Sequence, residues 1–192
     1  MTAHQLPPTH LLTIGEYAAL GQDERGRTEL QEGSLVMSPS PVRRHMKAVA
    51  SLVLQLDPQL PDHLEVIPEL DIDLELAAPD QPGSSRRPDL IVSDRSAGER
   101  FEAEGSMVRA SAVAVVIEVV SAGSQRMDNV TKRAEYADAG IPNYWIVDVE
   151  NPTTLVACRL SEEFGYVDDG AVTGVFTASH PFEVTIDLDR LG

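Results

Sequence analysis

The stretch Ala112-Val113-Ala114-Val115-Val116-Ile117-Glu118-Val119-Val120 is apolar at every position but one. A run of that length and β-branched content is a strand covered on both faces, so the chain has to build a sheet with packing above and below it. Glu118 lies inside that run. A carboxylate buried there without a partner costs several kcal/mol, and a cation, hydrogen bonds or protonation must stabilise it. A second acid stands in a similar setting, Asp89 in Arg87-Pro88-Asp89-Leu90-Ile91-Val92, and Lys132 follows in a segment of helical pattern. Two acids and a lysine converging on strand ends make the outline of a metal-dependent phosphodiesterase site.

The 192 residues suit one domain, residues 1–192, with a substantial core, and 42% hydrophobic content is ordinary for a globular fold. Residues 1–12 read as a flexible tail. No apolar stretch is long enough to span a bilayer, and the first residues lack a charged segment followed by an apolar signal core, so no membrane association and a cytoplasmic location are expected. The single cysteine, Cys158, leaves no internal disulfide and no cysteine-cluster metal site; within Leu155-Val156-Ala157-Cys158 it reads as a small core residue.

Charge pulls against nucleic acid. Thirty-one acids against 15 bases give a net −16, whereas a nucleic-acid binder usually carries a basic footprint. Yet Arg43, Arg44, Lys47, Arg86, Arg87, Arg126, Lys132 and Arg133 all lie beside the segments singled out here, consistent either with a local basic lip or with ordinary surface charge.

The pattern along the chain is mixed. Thr13 and Glu16 form a capping box for a short helix through Leu20. Glu29 to Met37 reads as a hairpin turning near Gly33, closed by Ser38-Pro39-Ser40-Pro41. A helix is expected over 42–56, with Met46, Val49, Ala50, Val53 and Leu56 facing inward. Residues 64–76 alternate as one half-buried strand, with Asp71, Asp73 and Glu75 on a solvated face. Residues 77–85 and 93–105 read as loops. After Glu118, a turn through Ser121-Ala122-Gly123-Ser124 leads to a helix ending near Ala139, with Gly140 as its left-handed C′ residue. Residues 143–149 form another strand, and strand, helix, strand in so short a span implies a right-handed parallel crossover. Short strands near 155–160, 165–167, 172–176 and 182–188 suggest an antiparallel extension. The fold class is thus α/β, or α+β, with a mixed sheet flanked by helices.

Asp128, Lys132 and Tyr136 fall at i, i+4 and i+8 and share a helix face. Spacing alone is equally met by an exposed ion pair. Position favours more, because a tight crossover packs this helix near the C-terminal end of the Glu118 strand, where open α/β sheets place ligands. Tyr136, Tyr144 and Trp145 read as core or cleft-wall aromatics. Asp89 could equally pair with Arg86, and Glu118 with Lys132, for structural reasons.

Taken in order, Glu29-Leu30-Gln31-Glu32-Gly33, Met37-Ser38-Pro39-Ser40-Pro41 with His45, Pro88-Asp89-Leu90, Ile117-Glu118-Val119-Val120-Ser121, and Asp128 to Ala137 leading to Gly140-Ile141-Pro142-Asn143-Tyr144-Trp145-Ile146-Val147-Asp148 resemble the Uma-two family of restriction-endonuclease-like proteins in the PD-(D/E)XK nuclease superfamily. The resemblance covers most of the chain. It implies a restriction-endonuclease-like fold and a magnesium-dependent endonuclease acting on DNA, with manganese as a possible substitute and a homodimer as a possible assembly. Asp89, Glu118 and the carbonyl of Val119 would hold the metal, and Lys132 would orient or deprotonate the attacking water. The superfamily's usual Glu-x-Lys is missing, since position 120 is Val120, and the resemblance moves the lysine role to Lys132. Ala122 stands where family members often have proline. Glu29 is the candidate additional acid, with Glu32 as its competitor because alternate strand positions face opposite sides. His45 could contact a phosphate or sit idle on a helix surface. A noncatalytic interaction or regulatory protein, and a phosphodiesterase of small nucleotides, remain as other classes.

Overall fold

The structure is a computed structural model, and it describes residues 10–20, 27–38, 40–120 and 127–192; the side chains of 27, 38 and 127–129 are outside the description. The expected turn at Ser121 to Ser124, Pro39, Arg126 and the Asp128 side chain therefore fall outside the described residues.

Helix α1 (Ile14–Ala19) opens on the expected capping box, Thr13 with Glu16. Residues 10–12 do not behave as a tail, since Leu12 is buried and exchanges backbone hydrogen bonds with Gly33 and Gly83. Strands β1 (Arg27–Gln31) and β2 (Ser34–Ser38) form the predicted hairpin. Gly33 turns it at φ 79°, and a Cβ there would meet Leu11 Cβ at 2.7 Å and Pro82 Cβ at 2.8 Å. Only glycine satisfies both the backbone and the space.

Helix α2 (Arg43–Leu56) covers the predicted span, but it is rotated. His45, Ala48, Val49, Leu52 and Leu56 are buried, Ala50 is exposed and Met46 is 41% exposed. Both stripes follow a 3.6-residue period. The real one runs through a histidine, which counting apolar residues alone passes over.

The single strand expected over 64–76 is two. β3 (Leu64–Pro68) ends at a proline followed by Glu69 at φ 53°, and β4 (Ile72–Asp73) joins a different sheet. Alternation survives the break because Ile72 and Leu74 are both fully buried. Of the three acids assigned to a solvated face, Asp71 is bound by Arg87, burial raises the pKa of Asp73, and Glu75 accepts from the Ser111 N–H.

β5 (Ser85–Arg86) and β6 (Leu90–Asp94) follow. The loop expected over 93–105 is instead the end of β6 and helix α3 (Arg95–Glu104). Asp94 caps it through the Ala97 N–H, Ala97 and Phe101 bury one side, and Gly105 ends it in the left-handed region. Its polar composition masked a helix with good caps.

β7 (Val108–Arg109) and β8 (Val113–Val120) come next. A π-helical turn, Met127–Lys132, then runs into helix α4 (Arg133–Asp138), with Gly140 at φ 74° beyond it. β9 (Asn143–Asp148), β10 (Thr154–Ser161), β11 (Gly165–Val172), β12 (Val175–Ala178) and β13 (Val184–Asp187) complete the order.

The larger sheet runs β11-β10-β9-β8-β6-β3, with β8 and β9 parallel and its other neighbours antiparallel. The parallel pair expected on either side of the helix is therefore present. A second sheet runs β2-β1-β5-β4-β7. The antiparallel extension divides: β10 and β11 continue the main sheet, while β12 and β13 form a separate hairpin, with Phe176 of β12 stacked edge-on to Trp145. One face of the main sheet packs on α2 and this hairpin through Leu52, Ile117, Trp145 and Ile186; the other packs on α3 and α4 through Val116, Tyr136, Tyr144 and Phe101. β8 is thus buried on both faces, as its sequence demands. Cys158 is a buried core residue, and burial pushes its thiol up to about 11.

Candidate active site

Antiparallel pairing of β6 with β8 brings the start of one strand beside the end of the other. The register Leu90↔Ile117 puts Asp89, one residue earlier, against Glu118 at the same rim of the sheet. Parallel pairing of β8 with β9 requires the connection to leave that rim and run back to the start of β9, and the π-helical turn and α4 on this path bring Lys132 and Tyr136 to Glu118.

Glu118 is 3% exposed. Its Oε1 accepts from Lys132 Nζ at 2.8 Å and from the Tyr136 hydroxyl at 2.8 Å. A cation and a hydroxyl thus offset the desolvation of this carboxylate. Tyr136 responds in turn: burial first, and the Glu118 charge next, raise its phenol well above the ordinary value. Lys132 and Tyr136 share the face that their spacing implied.

Asp89 is held from two sides. Its Oδ2 accepts the Val119 N–H at 2.8 Å, and its Oδ1 lies 2.9 Å from His45 Nε2. An ionised carboxylate only accepts, so the ring proton sits on Nε2. The N–H and C=O of one strand residue point to the same edge, so the Val119 carbonyl faces the Asp89 side of β8. His45 is therefore neither a surface histidine nor idle; α2 aims it at the strand-end aspartate. Asp89 does not pair with Arg86.

Arg86 points elsewhere. It is 1% exposed and its guanidinium clasps Glu135 through Nε at 2.7 Å and Nη2 at 2.6 Å, with Nη1 on Glu29 Oε2 at 2.9 Å. These carboxylates raise its pKa against a burial effect that would lower it. Glu29 also accepts the Arg87 N–H at 3.1 Å and stands 3.9 Å from Lys132 Nζ. Between the two competing acids of β1 and its turn, Glu29 faces the cluster; Glu32 occupies the turn at φ 47° and is exposed. The roles of Arg86, Glu135 and the Tyr136 hydroxyl escaped the sequence. The available signal was Glu135, three residues beyond Lys132 on one helix face.

The expected basic lip is largely drawn inward or paired: Arg86 and Lys132 are buried, Arg87 binds Asp71, and Arg133 binds Asp168. Arg44 lies 3.8 Å from Glu150, and Lys47 donates to the Gly192 carbonyl. A pocket of about 200 Å³ lined by Tyr17, Thr28, Asp71, Arg87 and Met107 lies apart from this chemistry, and none of Asp89, Glu118 and Lys132 lines it. Among the described residues, no group of three or more His, Cys, Asp or Glu side chains is arranged to hold a metal ion. No helix among them is long and apolar enough to cross a membrane.

The mixed sheet flanked by helices, with strand-end acids and a helix-borne lysine on one rim, defines the chain as nuclease-like in fold. The sequence matches the model of the Uma2 family, described as "Putative restriction endonuclease", over residues 14–184, and the chain belongs to that family. Among solved structures, a putative nuclease belonging to DUF820 from Anabaena variabilis ATCC 29413 is similar at 18% identity, with a TM-score of 0.68 over 94% of this chain and 97% of that one. No curated protein matches.

Proposed function

We propose that this chain is a divalent-metal-dependent endonuclease that hydrolyses phosphodiester bonds of DNA, with Asp89, Glu118 and the Val119 carbonyl as magnesium ligands and Lys132 as the catalytic cation. The observation that carries this reading is the charge of the cluster. Four carboxylates, Glu29, Asp89, Glu118 and Glu135, share the cluster with two permanent cations, Arg86 bound to Glu29 and Glu135 and Lys132 bound to Glu118, while Asp89 meets His45 and the Val119 N–H. Carboxylates thus outnumber permanent cations there, and a divalent cation would offset the excess. The donor chemistry also fits, since magnesium takes oxygen ligands, commonly one or two carboxylates with the remainder from water and substrate phosphate. Manganese suits the same donors.

Bound there, the metal would polarise the phosphate and lower the pKa of water. The protein's own groups do the rest. Lys132 Nζ, as an ammonium, offsets negative charge that builds on the phosphate oxygens and donates a hydrogen bond that orients the attacking water. Glu118 fixes that ammonium, and Tyr136 holds Glu118. His45 and the Val119 N–H keep Asp89 in one orientation. A homodimer would give two sites for the two strands of a duplex, and the reading includes a cytoplasmic location.

A second reading, a noncatalytic protein retaining the fold, is favoured by the −16 net charge, which repels a polyanion. Calorimetric titration of magnesium and manganese into the wild type and Glu118→Ala, followed by incubation with plasmid and single-stranded DNA, separates them. Metal uptake and cleavage by the wild type, both lost in the variant, support the nuclease. A wild type that takes up no metal and cuts no DNA overturns it.

A further inference from the structure

Arg86 touches neither Asp89 nor Glu118, yet it is the most thoroughly buried charged side chain of the described cluster. β5 is only two residues long, and its central product is this guanidinium, inserted between β1 and α4. The fork grips both oxygens of Glu135, three residues beyond Lys132, and with its remaining arm holds Glu29. Glu29 is also the carboxylate that competes with Glu118 for Lys132, at 3.9 Å against 2.8 Å.

We propose that Arg86 is a positioning residue that commits Lys132 to Glu118, by neutralising the competing carboxylate of Glu29 while tying the lysine's helix down through Glu135. The inference deepens the nuclease reading and rests on it for what Lys132 does once placed. A planar guanidinium makes this geometry available because its donors point along fixed directions to several oxygens at once. Lysine would deliver one point charge on a flexible stem, unable to clasp both Glu135 oxygens while reaching Glu29. Without the guanidinium, Glu29 becomes an uncompensated buried charge, and the nearest cation able to answer it is Lys132. The ammonium then shifts from Glu118 toward Glu29, and α4 loses its tether.

The sequence offers a direct readout, because its only lysines are Lys47 and Lys132. Lys47 lies on the exposed side of α2 and serves as an internal reference. Full-length wild type, Arg86→Lys, Arg86→Gln and Glu135→Gln are treated with an amine-acylating reagent under folded conditions, and modification is followed peptide by peptide. Lys132 should be modified about tenfold faster relative to Lys47 in all three variants, as local protection is lost. Arg86→Lys should fail to rescue. In cleavage assays kcat should fall by about a hundredfold with KM little changed, the signature of a misplaced group, not of lost substrate binding. Should the Arg86 variants fail to fold, Glu135→Gln, which preserves shape, carries the test by itself. Wild-type protection of Lys132 in a folded Glu135→Gln protein, or full rescue by Arg86→Lys, overturns the inference. A wild type that cuts no DNA in the presence of metal sinks the nuclease reading instead, and the labelling result still decides whether Arg86 positions Lys132.

Discussion

Lys132 Nζ and Glu118 Oε1 lie 2.8 Å apart, joining the π-helical turn that precedes α4 to the C-terminal end of β8. The chain has Val120 where a lysine two residues beyond the glutamate would stand. That position lies in the apolar core on the α4 side of the sheet, with Val116 and Tyr136. The cation therefore arrives from the next helix and not from the strand itself.

Breaking that pair should be costly, and breaking it symmetrically should not. Lys132→Met leaves Glu118 buried without its cation and should destabilise the fold by about 3 kcal/mol. Adding Glu118→Leu to Lys132→Met removes the orphaned charge and should recover most of that loss, while DNA cleavage stays absent. Urea unfolding of the two single variants and the double variant gives the coupling directly. Additive losses would mean that the two side chains do not interact as described.

His45→Ala should loosen Asp89 without touching either strand. Removing a partner that orients a ligating carboxylate typically weakens metal affinity by about ten- to a hundredfold. Magnesium titration of His45→Ala should show a drop in that range, with Asp89→Asn abolishing uptake. Unchanged affinity in His45→Ala would make the 2.9 Å contact purely structural.

Much of the site was legible because burial constrains charge. Glu118 announced itself as one acid in an apolar run, Asp89 and Lys132 came with it by position, and Glu29 came only with the family resemblance. Apart from the Glu118–Lys132 pair, their partners were not, because ion pairs such as Arg86 with Glu135 span 49 residues of sequence and leave no local pattern. The fold shows the same division. β8, the hairpin at Gly33 and the parallel return to β9 follow from period and turn chemistry, whereas α3 was hidden by polar residues on a half-exposed helix. Residues 64–76 misled for a different reason: alternation reports which side chains are buried, not whether they stay in one sheet. The turn of α2 went wrong through His45, whose burial depends on a carboxylate supplied by another element.

Gly33→Ala should damage the frame that carries Glu29. The left-handed backbone and the close approach of Leu11 and Pro82 together should cost about 3 kcal/mol. Gly140→Ala has the same backbone sign but no neighbour within 4 Å of the added methyl. Its loss should be nearer 1 kcal/mol. Thermal unfolding of the two variants side by side separates strain from crowding, and equal losses would show that the contacts around Gly33 contribute nothing.

Alkaline pH should unfold the protein through its tyrosines. Burial raises the phenols of Tyr17, Tyr136 and Tyr166 above their ordinary value of 10.0, and at Tyr136 the Glu118 charge adds to it. The folded chain then holds these protons more tightly than the unfolded chain does. Below pH 10 both states are protonated and the full stability is present; above it the unfolded chain ionises first, so stability falls as pH rises. Each such phenol contributes up to about 1.4 kcal/mol per pH unit until its folded value is reached. Denaturant titrations at about pH 8 and about pH 11 should therefore show a falling midpoint. Tyr136→Phe should reduce that slope, and at neutral pH it should cost about 2 kcal/mol for the lost hydrogen bond to a buried carboxylate. Phenolate absorbance in the folded protein supplies the independent check. If all four tyrosines ionise together near pH 10 while the fold persists, the Tyr136–Glu118 contact is open to solvent and not buried.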